Sequence, residues 1–275
     1  GRLALLGMGA APGITNLLAV DGSDRFDRVE EIHIRVAGVD RTRYASKPAL
    51  PVSYSLQTIL EELSFEPAVF TGGSLRFVPP MSGERPHRFP PPVGVQKPMY
   101  TLHSEVATLP DAYRHKGVRD VSFKIAFDPE FLEKVRFLRD LGLASSEPLA
   151  VGPVQVRPIE LLNRVAMTQA KPVPIGPLRQ HEVVRVVVKG FERDRKATWV
   201  LDVHTSGIAR WGIGVDIDTG APPAIAARML ARGEITAVGA LPPERAVPPG
   251  PFFAQLRRRG ISLNAVRKPG WGFNV

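Results

Sequence analysis

The run Gly7-Met8-Gly9-Ala10-Ala11-Pro12-Gly13-Ile14-Thr15-Asn16 lies between two apolar stretches, Leu3-Ala4-Leu5-Leu6 and Leu17-Leu18-Ala19-Val20. That pattern predicts a strand, a tight turn and a helix. Proline fixes φ and gives up an N–H that a first helical turn leaves unpaired, so Pro12 suits the helix start. Gly13 lets another group approach the backbone. In an open α/β sheet such a turn sits at the carboxyl end of a strand, where ligands bind. Three readings stay open: a dinucleotide turn, a plain α/β connection, or an active-site turn of another kind.

The dinucleotide reading wants G-x-G-x-x-G. Gly7 and Gly9 fit it, but the third position is Pro12. The next strand, Val29 to Val36, has no ribose-reading acid at its end; Asp40 comes late. In that strand Ile32, Ile34 and Val36 alternate with His33 and Arg35, the pattern of a half-buried strand that leaves His33 facing solvent.

Further along, Leu56, Ile59, Leu60 and Leu63 mark an amphipathic helix with a polar start at Ser53 or Ser55. Gly72-Gly73 between Ala68–Thr71 and Ser74–Val78 is a hairpin signal, because both loop residues can take positive φ. A proline-rich stretch from Pro79 to Pro98 reads as an ordered, extended connection. A strand from Val121 to Phe127 follows, then helices around Phe131–Leu138, capped near Gly142, and after Pro158. Glu182–Lys189 and Ala197–His204 form the longest hairpin, around Glu192-Arg193-Asp194-Arg195. Val184, Val186 and Val188 share one face; Arg185, Val187 and Lys189 share the other, which suggests a second contact and hence a subunit interface. Helices opened by Thr219-Gly220 and near Pro251–Arg259, then a short strand Ile261–Val266, complete the chain. The fold class expected is α+β, an antiparallel or mixed sheet with helices on one face.

Composition narrows the function. The chain has 275 residues, no cysteine, 44% hydrophobic residues and a formal charge of +9. Disulfides and thiolate sites are excluded, and a reducing, cytoplasmic compartment is the expectation. No apolar run approaches the ~20 residues of a membrane span. The basic cluster Arg257-Arg258-Arg259 ends a predicted helix, without interleaved aromatics or a nucleic-acid motif. A nucleic-acid partner is therefore not expected; an anionic cofactor or carboxylate substrate would exploit the same field. The six histidines show no metal-ligand spacing, so no metal is expected. His103-Ser104-Glu105 looks chemical but lacks a hydrolase elbow. Glu61 and Glu62 point about 100° apart on a helix, which reads as a solvated face.

Gly9-Ala10-Ala11-Pro12-Gly13-Ile14-Thr15-Asn16-Leu17-Leu18-Ala19 resembles the G-x-x-P-G-[LI]-T-N-x-[LI]-A segment of the saccharopine dehydrogenase-like family. Later stretches are similar to further family segments in the same order. They are Tyr54-Ser55 through Glu62, Glu105-Val106-Ala107-Thr108-Leu109-Pro110, Thr219-Gly220-Ala221-Pro222 through Ala227, and Gly239-Ala240-Leu241-Pro242-Pro243-Glu244. The resemblance implies an NAD(P)-dependent oxidoreductase of lysine metabolism, acting on the CH–NH group of an amino acid or polyamine carboxylate. A non-catalytic binding or assembly module of the same fold is the alternative.

The resemblance also implies an amino-terminal Rossmann domain that binds NAD or NADP, with this chain as the carboxyl-terminal part. Residues 1–28 are then the last strand and helix of that domain, 29–210 an inserted α+β domain, and 211–275 a return to the nucleotide-binding side. A homodimer through the sheet domain is expected. Substrate-binding candidates are Pro12, Gly13, Thr15, Asn16, Glu105, Thr219 and Gly220. Gly9, Ala11 and Pro12 are candidates for touching the cofactor, and no catalytic residue is assigned. Glu244 reads as structural, bonding helix-end or loop amides among the prolines. Replacing Gly13 by Val is expected to cut turnover more than it lowers the melting temperature.

Overall fold

A computed structural model describes residues 1–52 and 55–272. Ser53 and Tyr54 lie outside the described residues; Ser55 starts the helix there, its hydroxyl accepting from the Thr58 N–H.

The chain opens with β1 (Leu3–Leu5), α1 (Ile14–Ser23), β2 (Arg28–Asp40), β3 (Tyr44–Ser46) and α2 (Leu56–Ser64). The Gly72-Gly73 turn joins β4 (Ala68–Thr71) to β5 (Ser74–Phe77), with φ of 58° and 85° at its two glycines, as the sequence demands. The proline-rich stretch holds short β6 (His87–Arg88), β7 (Val95–Gln96) and β8 (Met99–Tyr100). Then come α3 (Glu105–Tyr113), β9 (Asp120–Ala126), α4 (Pro129–Asp140), β10 (Leu149–Val151), β11 (Val154–Val156), α5 (Pro158–Ala166) and β12 (Val173–Pro174). The long hairpin is β13 (Gln180–Glu192) and β14 (Arg195–Thr205), and α6 (Ile217–Ala231), β15 (Gly239–Leu241), α7 (Pro243–Ala246), α8 (Pro249–Arg257) and β16 (Ser262–Pro269) follow.

One mixed sheet dominates, in the order β16-β14-β13-β2-β9-β4-β5, with β8 also on β9. Only β2 and β9 run parallel within it. Its helix-covered face buries Ile32, Ile34, Val184, Val186, Val188 and Leu201 against α1, α3, α6 and α8. A satellite core joins α2, α4 and α5 through Leu60, Leu63, Phe131 and Val135. The α+β class and the single helical face thus hold.

The structure corrects several local expectations. The hairpin ladder continues to Glu192 opposite Arg195, so the turn is only Arg193-Asp194, both at positive φ. Helix α6 begins at Ile217, which puts Thr219 and Gly220 inside its first turn rather than at its opening. Helix α3 was not foreseen, because Pro110 lies within it. The second face of β13 is not free: Val187 is fully buried and Arg185 is covered by the segment around His87–Val93. His33 is not on a solvated face either. Its ring bonds Ser122 Oγ at 2.7 Å and Glu31 Oε2 at 2.9 Å.

Residues 211–275 divide between two sheets. β15 pairs in parallel with β1, while β16 extends the large sheet beside β14.

Candidate functional site

The Gly9–Asn16 turn is closed on itself. Gly9 N–H donates to Pro12 O at 2.7 Å, Ile14 N–H to Gly9 O, and Thr15 N–H to Ala10 O. Gly13, with φ of 131°, caps α1, and its N–H donates to Asn16 Oδ1 at 2.8 Å. A Cβ at Gly13 would lie 2.2 Å from Gly9 O and 2.4 Å from Gly9 N, so only glycine fits there. The Ala11–Pro12 peptide is cis.

Behind the turn lies a buried polar seam. Thr15 Oγ1 donates to Glu105 Oε1 at 2.7 Å, and Asn16 Nδ2 donates to Glu244 Oε2 at 2.8 Å. Thr15 and Glu105 are fully buried and Asn16 is 1% exposed. Glu105 begins α3, where the helix dipole favours a carboxylate. His103 Nδ1 lies 3.5 Å from Glu105 Oε2, its Nε2 lies 3.8 Å from Glu62 Oε1, and its ring stacks on Phe123. Burial raises the Glu244 carboxyl above its ordinary value, and the nearby Glu105 charge adds to that rise. The Thr108 hydroxyl, the Glu244 backbone amide and the Asn16 amide offset part of it.

The structure therefore brings Gly13, Thr15, Asn16 and Glu105 together, and adds three residues that sequence reasoning set aside. Glu62 is largely buried beside His103 rather than solvated. Glu244 meets a side-chain amide from α1 in addition to a backbone amide at the start of α7. His103 joins the seam without any hydrolase arrangement. The E-x-x-T-L-P and G-x-x-P-P-E segments pointed to Glu105 and Glu244; nothing in the sequence tied them to Thr15 and Asn16.

Thr219 reaches the turn from the other side. A Cβ on Gly9 would make ordinary contact with Thr219, its Cγ2 at 3.8 Å. Gly220 faces open space and lines a groove of about 620 Å³. Ile208, Trp211, Ile213 and Ile217 line it; Arg228, Arg258 and Arg259 add positive charge, with Asp216 the one acid among them. Trp211 is 62% exposed, so its indole presents a large apolar surface to whatever occupies the groove.

The pattern of engaged amides bears on cofactor binding at this turn. A dinucleotide pyrophosphate needs free N–H groups at a glycine turn and helix start. Here the amides of Gly9, Gly13, Ile14 and Thr15 already have partners within the turn, and Pro12 has no N–H. Those four amides are not free to hold a pyrophosphate. Among the described residues, no group of three or more metal-binding side chains occurs and no helix is long and apolar enough to cross a membrane.

Comparison with known proteins places this geometry. The family model for the saccharopine dehydrogenase C-terminal domain matches residues 9–261. The chain belongs to that family. It is also similar in structure to an apo histidine-tagged saccharopine dehydrogenase (L-Glu forming) from Saccharomyces cerevisiae. The TM-score is 0.67 at 17% identity, covering 94% of this chain and 73% of that one. At that identity the likeness speaks for the fold. The family match begins at Gly9, so both the closed turn and the polar seam fall inside it.

Proposed function

We propose that this chain is the substrate-side part of an NAD(P)-dependent oxidoreductase. Its reaction is on the CH–NH group of an amino acid or polyamine carboxylate, as in saccharopine or lysine dehydrogenases. The observation that carries this reading is the closeness of the two predicted segments. Thr219 lies where a Cβ on Gly9 would touch it, with Cγ2 at 3.8 Å, and Gly220 opens into an apolar groove flanked by arginines. Such a groove suits an aliphatic substrate bearing carboxylates.

The buried seam has a positioning role in this reading. Thr15 binds one carboxylate oxygen of Glu105 and Asn16 binds one of Glu244, which holds the turn against α3 and α7; Glu105 Oε2 and Glu244 Oε1 are buried without a hydrogen bond. The turn itself, half-exposed from Met8 to Pro12, faces the substrate. The dinucleotide is held mainly by a nucleotide-binding domain outside this chain, reaching Gly9, Ala11 and Pro12 only at its reactive end. The β1–β15 pair supports that domain division, with 1–28 and part of 211–275 on the nucleotide side. An all-parallel pair of two short strands is unusual alone; parallel strands belong to larger, doubly covered sheets. A cytoplasmic homodimer completes the proposal.

A non-catalytic binding or assembly module is the second reading, favoured by the engagement of the turn's amides. Steady-state assays separate the two. The full-length product of the gene is tested for amine-dependent reduction of NAD or NADP with saccharopine, lysine and carboxynorspermidine. Arg258→Ala is expected to raise KM about ten-fold with kcat unchanged, as loss of a ground-state charge contact does. Absence of turnover with every amine, in a folded full-length protein, rules out the enzyme reading.

A further inference from the structure

One row across the large sheet collects charge. Lys124 of β9 stands directly opposite Arg35 of β2, Arg35 opposite Arg185 of β13, and Arg185 opposite Asp202 of β14. Tyr100 of β8 ends the row opposite Lys124. All four charged side chains are buried, none more than 8% exposed. Neighbouring strands lie about 4.8 Å apart, so three cations stand side by side with one carboxylate. Like charges directly opposite destabilise a sheet, and a buried charge ordinarily has a partner.

Asp202 is fully engaged by Arg185. Nε donates to Oδ1 and Nη2 to Oδ2, both at 2.7 Å. Among the described residues, neither Arg35 nor Lys124 has a carboxylate within ion-pair distance. Arg35 Nη1 donates to Ile34 O and to Ser122 Oγ. Lys124 Nζ donates to Gly83 O and lies 4.1 Å from the centre of the Tyr100 ring. The nearest acid in the covering segment, Glu84, is drawn to Lys97 and Arg136 instead. Burial pulls Arg35 down to about 10 and Lys124 down to about 8. For Lys124 the charges of Arg35 and Arg85 add to the fall.

We propose that Arg35 and Lys124, with Tyr100 beside them and Arg85 at the rim, form a site for a small oxyanion, the carboxylate or phosphate group of a ligand. The planar Arg35 fork supplies directed N–H donors and Lys124 a point charge. Gly83, Glu84, Arg85 and Pro86 are exposed, so the way in runs beside Gly83. A ligand oxygen there takes the place of the Gly83 carbonyl on Lys124. The site lies on the sheet face opposite α1 and is independent of the oxidoreductase reading.

Thermal unfolding and titration calorimetry test it, with inorganic phosphate and glutarate compared against sodium chloride at matched ionic strength. At least one of the two anions is expected to raise the wild-type melting temperature by several degrees. Phosphate alone doing so assigns a phosphate group, glutarate alone a carboxylate. Lys124→Met is expected to unfold no earlier than wild type without anion, since a buried like charge is gone. It should also bind the anion about ten-fold or more weakly, the loss of a charge-assisted hydrogen bond. Arg85→Ala, at an exposed rim position, should fold normally and bind more weakly. Neither anion exceeding chloride, or both variants keeping the wild-type affinity, overturns the site.

Discussion

The two faces of the central strands solve burial in opposite ways. On one face of β2, Ile32, Ile34 and Val36 disappear under α1, α3, α6 and α8 with nothing polar to satisfy. On the other, Arg35 is buried and His33 half-buried, and both need hydrogen bonds with Ser122, Glu31 and the Ile34 carbonyl. Burying apolar surface contributes about 25 cal/mol per Å² whatever the neighbours. Burying charge stabilises only where a partner is placed to receive it. The apolar face should therefore tolerate change smoothly, and the charged face should fail where one half of its buried ion pair is removed. The helix-covered face does carry a polar seam of its own, and that seam ends at Gly13, where the tolerance stops.

Gly13→Val should produce the largest effect of all. The new Cβ falls within 2.4 Å of the Gly9 backbone, which cannot move without opening the turn, and φ of 131° is closed to valine. We expect a loss of about 4 kcal/mol or more, read as a collapse of the melting transition. This revises the sequence-based expectation that turnover would suffer more than stability. The reason is that Gly13 contacts its own turn, not an open cleft.

Asp202→Leu comes next. It leaves Arg185 beside Arg35 and Lys124 with no carboxylate in the row. Breaking a buried pair from one side costs about 3–5 kcal/mol. Chemical denaturation should show a falling midpoint with little change in slope. An unchanged midpoint would mean that the charged face is solvated, and the contrast between the faces would dissolve.

Much of the frame was legible because its signals are local. The alternation of Ile32, Ile34 and Val36, the Gly72-Gly73 loop and the spacing of Phe131, Leu132 and Val135 each fix an element from adjacent residues. The order of the family-like segments led to Gly13, Asn16 and Glu105. What could not be read was anything made by pairing distant strands. The Lys124–Arg35–Arg185 row exists only because β2 lies between β9 and β13, and those strands are far apart in the chain. His103 and Glu62 looked unrelated for the same reason. Pro110 hid α3, since proline inside a helix argues against one from sequence alone.

Thr15→Val tests the seam at smaller scale. It keeps the shape but removes the hydroxyl that donates to Glu105 Oε1, leaving a fully buried carboxylate one donor short. Removing one partner of a buried hydrogen bond costs about 1–3 kcal/mol. Thr15→Ser should restore most of it, which a cavity effect alone would not predict. Equal losses in the two variants would show that packing, not the hydrogen bond, holds α1 to α3.

The smallest effect is expected where the helix-covered face carries its own buried acids. Glu182 of β13 and Asp218 of α6 each shift the other's carboxyl, Asp218 is only 3% exposed, and its Oδ2 is buried without a hydrogen bond. Burial raises both carboxyls, Asp218 to about 6, and the Asp216 charge adds to the rise. A group whose folded value lies above its unfolded value stabilises fully below the unfolded one, near 4. That contribution is lost as pH rises through the folded value. The wild type should therefore lose stability between about pH 4 and pH 7 on account of this pair. Asp218→Asn removes the titration but keeps an amide to donate to Glu182. It should match the wild type or fall below it at pH 4 and exceed it by about 1 kcal/mol at pH 8. Melting curves of both proteins across that range decide the matter. Parallel curves at every pH would show that the two acids do not share a proton.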